Sequence, residues 1–350
     1  MKPGVGRSVV LWTLFFVIST GLGYPTLNRY DPRAVPGLYD SRAYYALVSG
    51  DPLQDDQEHF SHRVLVSYLA KPIFWLAKNH LHSWNPVFFA ILVVNSFFIA
   101  TTAFLLVDVG RRITADEAVA LVSALLYLTN FAVANFNLSG YVDSAVNCIL
   151  MVVVWTMFTE RWWLLPLWGV IGALAKETFV PLAAALALGW WLTTARRRSL
   201  RLSQLAWIGA MVAVGFATLI PLMSHRSSDA SLLSFAALMK GESDSGRAYL
   251  SGLVGCLLAR EFLYTFAWLL PLGVWRLARL PKAWVVGSIC AALAALAMGA
   301  YDDALGGAAR ALFSASGPLL SLSVSLLLIE TCKDRGWEPF PGSVTKSEVR

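Results

Sequence analysis

Six short groups of polar residues interrupt an otherwise apolar chain. A charged side chain at membrane depth is costly, so each group is a candidate for function. Carboxylates can act as a general base or bind a metal ion, while guanidinium and ammonium groups can bind a phosphate. The six groups are Tyr39–Tyr45, His62–Leu65, Tyr141–Asp143, Ala175–Thr178, Tyr301–Asp303 and Ala309–Pro318.

The acidic candidates are Asp40, Asp143 and the pair Asp302 and Asp303. Asp40, in one group with Tyr44, could take a proton from a hydroxyl or bind a metal; the alternative is a solvated loop acid. Asp143 could serve a site, or it could cap the helix that follows it. The Asp302–Asp303 pair could bind a divalent cation, or it could end a helix in solvent.

The basic candidates lie close to the same apolar boundaries. Arg63 opens a short helix, where its planar fork suits a lipid phosphate or where it anchors the helix at the interface. Lys176 and Glu177 break the apolar run Trp162–Trp191. We expect these two residues to be functional, since intramembrane charge is expensive. The alternative is a simple turn with a local ion pair.

Two further arginines complete the set of candidates. Arg310 begins the last apolar run, and it could reach a phosphate or pair with Asp302 or Asp303. Arg260, followed by Glu261, is predicted near the same boundary.

Composition indicates which class of protein carries these residues. The chain of 350 residues is 57% hydrophobic and 14% charged, against about 25% charged residues in soluble domains. This composition predicts a polytopic membrane protein. The net charge of +6 is interpreted as a topology signal and not as nucleic-acid binding. The cysteines and histidines show no metal-ligand spacing, so no metal site is predicted from them.

An all-α fold follows from the apolar runs, since a membrane helix needs about 20 apolar residues. We predict about ten spans, some of them short enough to be tilted or broken. The run 64–77 is short and interrupted by Lys71 and Pro72, which favours an interfacial helix over a span. The predicted spans are 8–27, 86–108, 118–136, 143–158, 162–175, 178–193, 204–224, 258–275, 283–300 and 311–329.

Charge asymmetry predicts the orientation. With the N-terminus inside, the inner loops and the two termini together carry most of the Lys and Arg, of which Arg196, Arg197 and Arg198 are the densest cluster. Lys and Arg in short loops stay cytoplasmic, so both termini are predicted in the cytoplasm and the protein in the plasma (inner) membrane. The acidic candidates then fall on the outer side.

The domain organisation follows from the same assignment. Residues 1–329 are predicted as one transmembrane domain and 330–350 as a cytoplasmic tail. The first outer loop of the transmembrane domain, 28–85, contains the interfacial helix, and 225–257 forms a second large outer loop.

The order of these groups resembles the GT-C superfamily of membrane glycosyltransferases. The shared layout is an acid in the first outer loop (Asp40), an arginine opening a short helix (Arg63), and a Lys–Glu between short helices. An arginine before a proline-containing last span (Arg310, Pro318) completes it. No Asp-x-Asp occurs in the first loop, and these 350 residues are not expected to include a large soluble domain like that of oligosaccharyl transferases.

The resemblance implies a GT-C-like activity and a lipid-linked substrate. A sugar would pass from a polyprenyl-phosphate carrier to an acceptor hydroxyl at the non-cytoplasmic face, with inversion. Asp40 would be the catalytic base. Arg63, Lys176 and Arg310 would hold the phosphate, with Glu177, Tyr44, Asp143 and Arg260 as further substrate-binding candidates. A divalent cation is compatible with this chemistry and not required by it.

Three alternatives remain open from the sequence. A transporter or flippase of a lipid-linked or small polar substrate would explain short helices around Lys176, although no inverted repeat is visible. A polymerase or ligase of lipid-linked glycans would share the donor. A non-catalytic membrane scaffold would need none of the candidate residues for activity.

Overall fold

The structure is a computed structural model. It describes residues 5–29, 39–53, 60–81, 84–194, 198–224, 254–255, 257–301 and 307–336. Within these ranges the chain is all helical and contains no strand. The predictions for Asp302, Asp303, Arg196 and Arg197, for most of the loop 225–257 and for most of the tail lie outside the described residues.

Thirteen α-helices are present in the described part of the chain, and two of them match their predicted bounds. Helix α3 coincides with the predicted 64–77 and α6 with the predicted 143–158. The helices are α1 Val5–Arg29, α2 Tyr39–Ser49, α3 Val64–Ala77, α4 Pro86–Thr114, α5 Glu117–Leu128, α6 Asp143–Phe158, α7 Leu165–Ala175, α8 Phe179–Thr194, α9 Arg198–Ser224, α10 Arg260–Phe266, α11 Leu269–Val274, α12 Lys282–Tyr301 and α13 Gly307–Asp334.

Two predicted spans are broken by local chemistry. The predicted helix 118–136 stops after Leu128, because the Asn130 side chain accepts a hydrogen bond from the Ala132 amide in place of the helical pattern. The predicted helix 258–275 is two short helices, α10 and α11. Pro271 lies in α11, and its ring excludes the carbonyl four residues earlier, which places the break near residue 267.

Length separates the helices into two groups. Four are long and apolar enough to cross a membrane: Val5–Pro25, Pro86–Thr114, Leu202–Met223 and Ala308–Asp334. Six shorter apolar helices have 10–17 residues, so even the longest of them extends about 25 Å, less than the hydrocarbon core of about 30 Å. The chain is therefore an all-helical protein with four candidate membrane spans in its described residues.

Two of the long helices form the centre of the bundle. Helix α4 packs against α1, α3, α5 and α6, and α13 packs against α5, α6, α11 and α12. Both central helices are mostly buried, whereas the other two long helices, α1 and α9, are mostly exposed. This exposure of apolar side chains is what a lipid-facing helix requires.

Helices α8 and α12 approach each other at two glycines. A Cβ on Gly287 would lie 2.7 Å from the Leu186 carbonyl oxygen, and one on Gly189 would lie 2.8 Å from Gly287 Cα. Small residues allow this close backbone contact, which is a common way for membrane helices to associate.

The ends of the helices carry ion pairs at both ends of the bundle. One end of the bundle is where α1, α5 and α12 begin and where α4 and α13 end. At this end Arg7 pairs with Glu117 at 3.0 Å, and Lys333 pairs with Asp116 at 2.6 Å. Arg276 pairs with Glu330 at 2.9 Å at the same end. The remaining charged cluster lies where α6 and α13 begin, at the opposite end.

Replacing Gly287 by Val should destabilise the protein, because the added atoms would meet the Leu186 backbone, which cannot move aside cheaply. Overpacking of this kind costs about 1–3 kcal/mol. The measurement is the unfolding midpoint of the detergent-solubilised protein. Gly209→Val is the matched control, since nothing lies within 4 Å of its added Cβ; equal losses in both variants would contradict the close-packing account.

A cysteine at Asp51, which is exposed in the predicted first outer loop, should react in intact cells with a membrane-impermeant thiol reagent. A cysteine at Glu160, in the turn at the other end of α6, should react only after permeabilisation. The parent chain with its own cysteines supplies the background rate. The reverse labelling pattern would overturn the predicted orientation.

Candidate functional site

One end of the bundle brings together charged residues that are far apart in the chain. Asp143 is the first residue of α6, Lys176 is the C-cap of α7, and Arg310 lies in the first turn of α13. Helix N-termini favour anions and C-termini favour cations. The first two of these side chains therefore stand where their own helices already favour their charge.

Asp143 accepts hydrogen bonds from two cations. Lys176 Nζ donates to its Oδ1 at 2.8 Å, and Arg310 Nη1 donates to its Oδ2 at 3.0 Å. The carboxylate is only 6% exposed, so both interactions are made away from water. Of the two alternatives for Asp143, the capping role is not what the structure shows, because the N-cap is Val142 and no side-chain cap bond is made there.

Glu177 is the centre of a second group. Arg63, the N-cap of α3, donates from Nη2 to Glu177 Oε1 at 2.5 Å and from Nε to Oε2 at 2.9 Å. His62 Nε2 lies 2.7 Å from the same Oε2. The third contact of the guanidinium is from Nη1 to the Tyr44 hydroxyl, at 2.9 Å. The alternative of a local pair between Lys176 and Glu177 is not what the structure shows, since each residue makes a long-range pair instead.

The ion pair between Arg63 and Glu177 is maintained at neutral pH. Burial by itself raises the pKa of Glu177, but the charge of Arg63 and the hydrogen bond from His62 outweigh it and hold that pKa well below its usual value. A carboxyl whose pKa is depressed on folding contributes stability above its unfolded pKa. That contribution is lost only as the pH falls through the folded value.

Arg310 connects the Asp143 group to Asp40. Its Nη2 lies 3.7 Å from Asp40 Oδ2, which is longer than a hydrogen bond. The guanidinium also lies over the Tyr141 ring, 4.6 Å from its centroid. Asp40 is 21% exposed, so of the two acids beside Arg310 it is the more accessible and the less firmly held.

Most of the residues predicted from the sequence meet at this cluster. It contains Asp40, Tyr44, Arg63, Asp143, Lys176, Glu177 and Arg310. Arg260 begins α10, is exposed, and makes no ion pair among the described residues. Arg310 pairs with Asp143; its predicted partners Asp302 and Asp303 lie outside the described residues.

Two contributors belong to the groups predicted from the sequence but were given no role of their own there. His62 holds Glu177, and Tyr141 lies under Arg310. Each stands within two residues of a charged candidate, and this proximity is the signal that could have assigned them a role. Among the described residues, no group of three His, Cys, Asp or Glu side chains is arranged to hold a metal ion.

The fold and the site define an integral membrane protein of helices with a buried, charge-paired cluster at one end. A family model described as a predicted membrane protein, DUF2079, matches residues 48–303 of the chain. Since this range is well over half of the sequence, the chain belongs to that family. The matched range contains Arg63, Asp143, Lys176 and Glu177 and excludes Asp40 and Arg310. No curated protein matches the chain.

Replacing Asp143 by Asn should destabilise the protein more than replacing Asp40 by Asn. The first change leaves Lys176 and Arg310 without their hydrogen-bonded carboxylate, and breaking a buried pair in this way costs about 3–5 kcal/mol. The second removes only a contact of 3.7 Å. The unfolding midpoints of the two purified variants test this prediction. Equal shifts would show that Asp143 is not the carboxylate that compensates both cations.

Proposed function

We propose that the protein is a glycosyltransferase of the GT-C type. It takes a sugar from a polyprenyl-phosphate carrier and transfers it, with inversion, to an acceptor hydroxyl at the non-cytoplasmic face of the membrane. The observation that carries this proposal is the contact between Asp40 and Arg310, 3.7 Å apart. A carboxylate and a cation are the two groups that such a transfer needs side by side.

Asp40 is the general base. It is the more exposed of the two acids at Arg310, and the contact that it makes there is longer than a hydrogen bond. Asp143 is unsuited to this role, since two cations occupy its oxygens. A proton on an acceptor hydroxyl could therefore reach Asp40 without breaking the pairs that hold the cluster together.

Arg310 and Lys176 bind the phosphate of the donor. Arg310 directs Nη2 toward Asp40 and donates from Nη1 to Asp143, and Lys176 donates to Asp143 alone. A guanidinium and an ammonium group each have more N–H groups than these contacts use, so both side chains have donors left for phosphate oxygens. A phosphate held there would be next to the base, and the cations would stabilise the charge that develops as the carrier leaves. Glu177 belongs to this site as the partner that keeps Arg63 in place.

The lipid carrier requires a particular topology. The proposal includes ten spans in a single domain over 1–329, both termini in the cytoplasm, and the plasma membrane as the location. The ion pairs Arg7–Glu117 and Lys333–Asp116 then mark the cytoplasmic end. This arrangement puts the cluster at the outer surface, where lipid-linked sugars are used by enzymes of the type that the sequence resembles.

A second candidate function is transport of a lipid-linked or small polar substrate. The observation that favours it is the break between α7 and α8, where Lys176 and Glu177 lie between two short apolar helices. Interrupted helices with charged residues in the break are a feature of transporter substrate sites. Transport would not need Asp40 to take a proton.

Asp40→Asn should lower sugar transfer by about 100- to 10,000-fold, the usual contribution of a general base. The protein reconstituted in vesicles would be given labelled farnesyl-phosphoryl hexoses and pentoses with a membrane extract as acceptor. The measured quantities are sugar transferred and farnesyl phosphate released.

The control is Asp51→Asn, which removes an acid beyond the other end of α2 whose carboxylate accepts a local hydrogen bond from Ser49 in the described structure. It should retain activity. Turnover by Asp40→Asn at the parent rate would remove Asp40 as the base. Movement of the intact labelled donor across the vesicle membrane, without release of farnesyl phosphate, would favour the transporter.

A further inference from the structure

The position of Asp40 depends on the short helix α2. Helix α2 spans Tyr39–Ser49, and Asp40 stands in its first turn. Tyr44 follows one helical turn later, so the two side chains share one face. Tyr44 is buried at 1% exposure together with Ala43 at 0%. The contacts that fix Tyr44 therefore also fix the position and rotation of the helical turn that carries Asp40.

Tyr44 is held by Arg63 through its hydroxyl. Arg63 Nη1 donates to the Tyr44 oxygen at 2.9 Å. Burial raises the pKa of Tyr44, so the hydroxyl keeps its proton and accepts this bond as a neutral group. The Phe60 ring lies under the guanidinium, 4.7 Å from Cζ, and edge-on to the Tyr44 ring. Tyr44 is thus fixed by a bond at its tip and by an aromatic neighbour.

Arg63 is itself oriented by Glu177. Two parallel N–H groups of its guanidinium bind the two oxygens of Glu177, and this paired geometry fixes the plane of the fork. The remaining Nη1 can then point in one direction only, which is toward Tyr44. His62 holds Glu177 Oε2 from the other side. The carboxylate therefore has little freedom to rotate.

We infer that Glu177 and Arg63 are positioning residues that act on Asp40 through Tyr44. The inference rests on the proposed function in taking Asp40 as the reacting group, while the mechanical link stands on the contacts alone. Arg63 binds no substrate in this arrangement, unlike Arg310 and Lys176. Binding of a donor phosphate by Arg63 would cost the half-buried Glu177 its bidentate partner, and breaking an ion pair whose arginine is buried is unfavourable.

The kinetic consequence is a change in turnover without a change in donor affinity. Tyr44→Phe should lower kcat for the farnesyl-phosphoryl donor by about 10- to 100-fold, as expected when a catalytic group is displaced by a fraction of an ångström to an ångström. The donor KM should stay within twofold, because neither phosphate cation is touched. The double variant Tyr44→Phe with Glu177→Gln should have a kcat only slightly below that of the more impaired single variant, since both changes break one chain of contacts.

Tyr45→Phe is the matched control. It removes the neighbouring hydroxyl, whose partner is Asn85 Nδ2 at 3.2 Å on the N-cap of α4, and it should leave kcat unchanged. A rise in donor KM at constant kcat in Arg63→Lys would overturn the inference, because it would make Arg63 a phosphate ligand. Parent-like kinetics in Tyr44→Phe would overturn it equally.

A second measurement needs no activity. Asp40→Cys would be labelled with a charged thiol reagent in the presence of Tyr44→Phe or of Tyr45→Phe. The labelling rate should rise several-fold with the first change and not with the second. Equal rates in the two variants would refute the mechanical link. A faster rate in the labelled variant, together with no transfer from any donor by the parent protein, would keep the link and refute the proposed glycosyltransferase.

Discussion

The carboxylate of Asp143 is placed in the interior of a helical bundle with an ammonium group and a guanidinium group on its two oxygens. A single charge in that position would be prohibitively costly, and its compensation requires groups from α6, α7 and α13 to meet at one height. This compensation therefore couples the positions of three helix ends, namely the beginnings of α6 and α13 and the end of α7. A shift of any of them would leave one charge buried without its partner.

The same constraint extends to the helices that lie outside the central bundle. Glu177 is the neighbour of Lys176 in the chain, so the turn that delivers one cation to Asp143 delivers one carboxylate to Arg63. Arg63 in turn reaches Tyr44 on α2. A turn of two charged residues thereby links the core of the bundle to α3 and α2, neither of which is long enough to cross a membrane.

Buried ion pairs are weak evidence for stability, because well-packed apolar residues often hold a core equally well. Their presence in so apolar a protein therefore points to specificity or chemistry. Within the cluster, Asp40 differs from Asp143 and Glu177 in that its contact with Arg310 is longer than a hydrogen bond. The firmly paired residues form a frame beside which the loosely paired acid stands, which is the division expected of a preorganised site.

The apolar runs by themselves determined that this protein is an all-helical membrane protein, and local signals placed α3 and α6 at their residues. They did not show the breaks in 118–136 and 258–275, because hydrophobicity is averaged over a window and one Asn or Pro acts on a single carbonyl or amide. The charged candidates were also visible, since charge is rare in such a chain. Only the tertiary structure decided which charge meets which: Lys176 with Asp143 and Glu177 with Arg63 are separated by 33 and 114 residues. Pairing over such separations depends on how the helices pack, and no local pattern in the sequence encodes it.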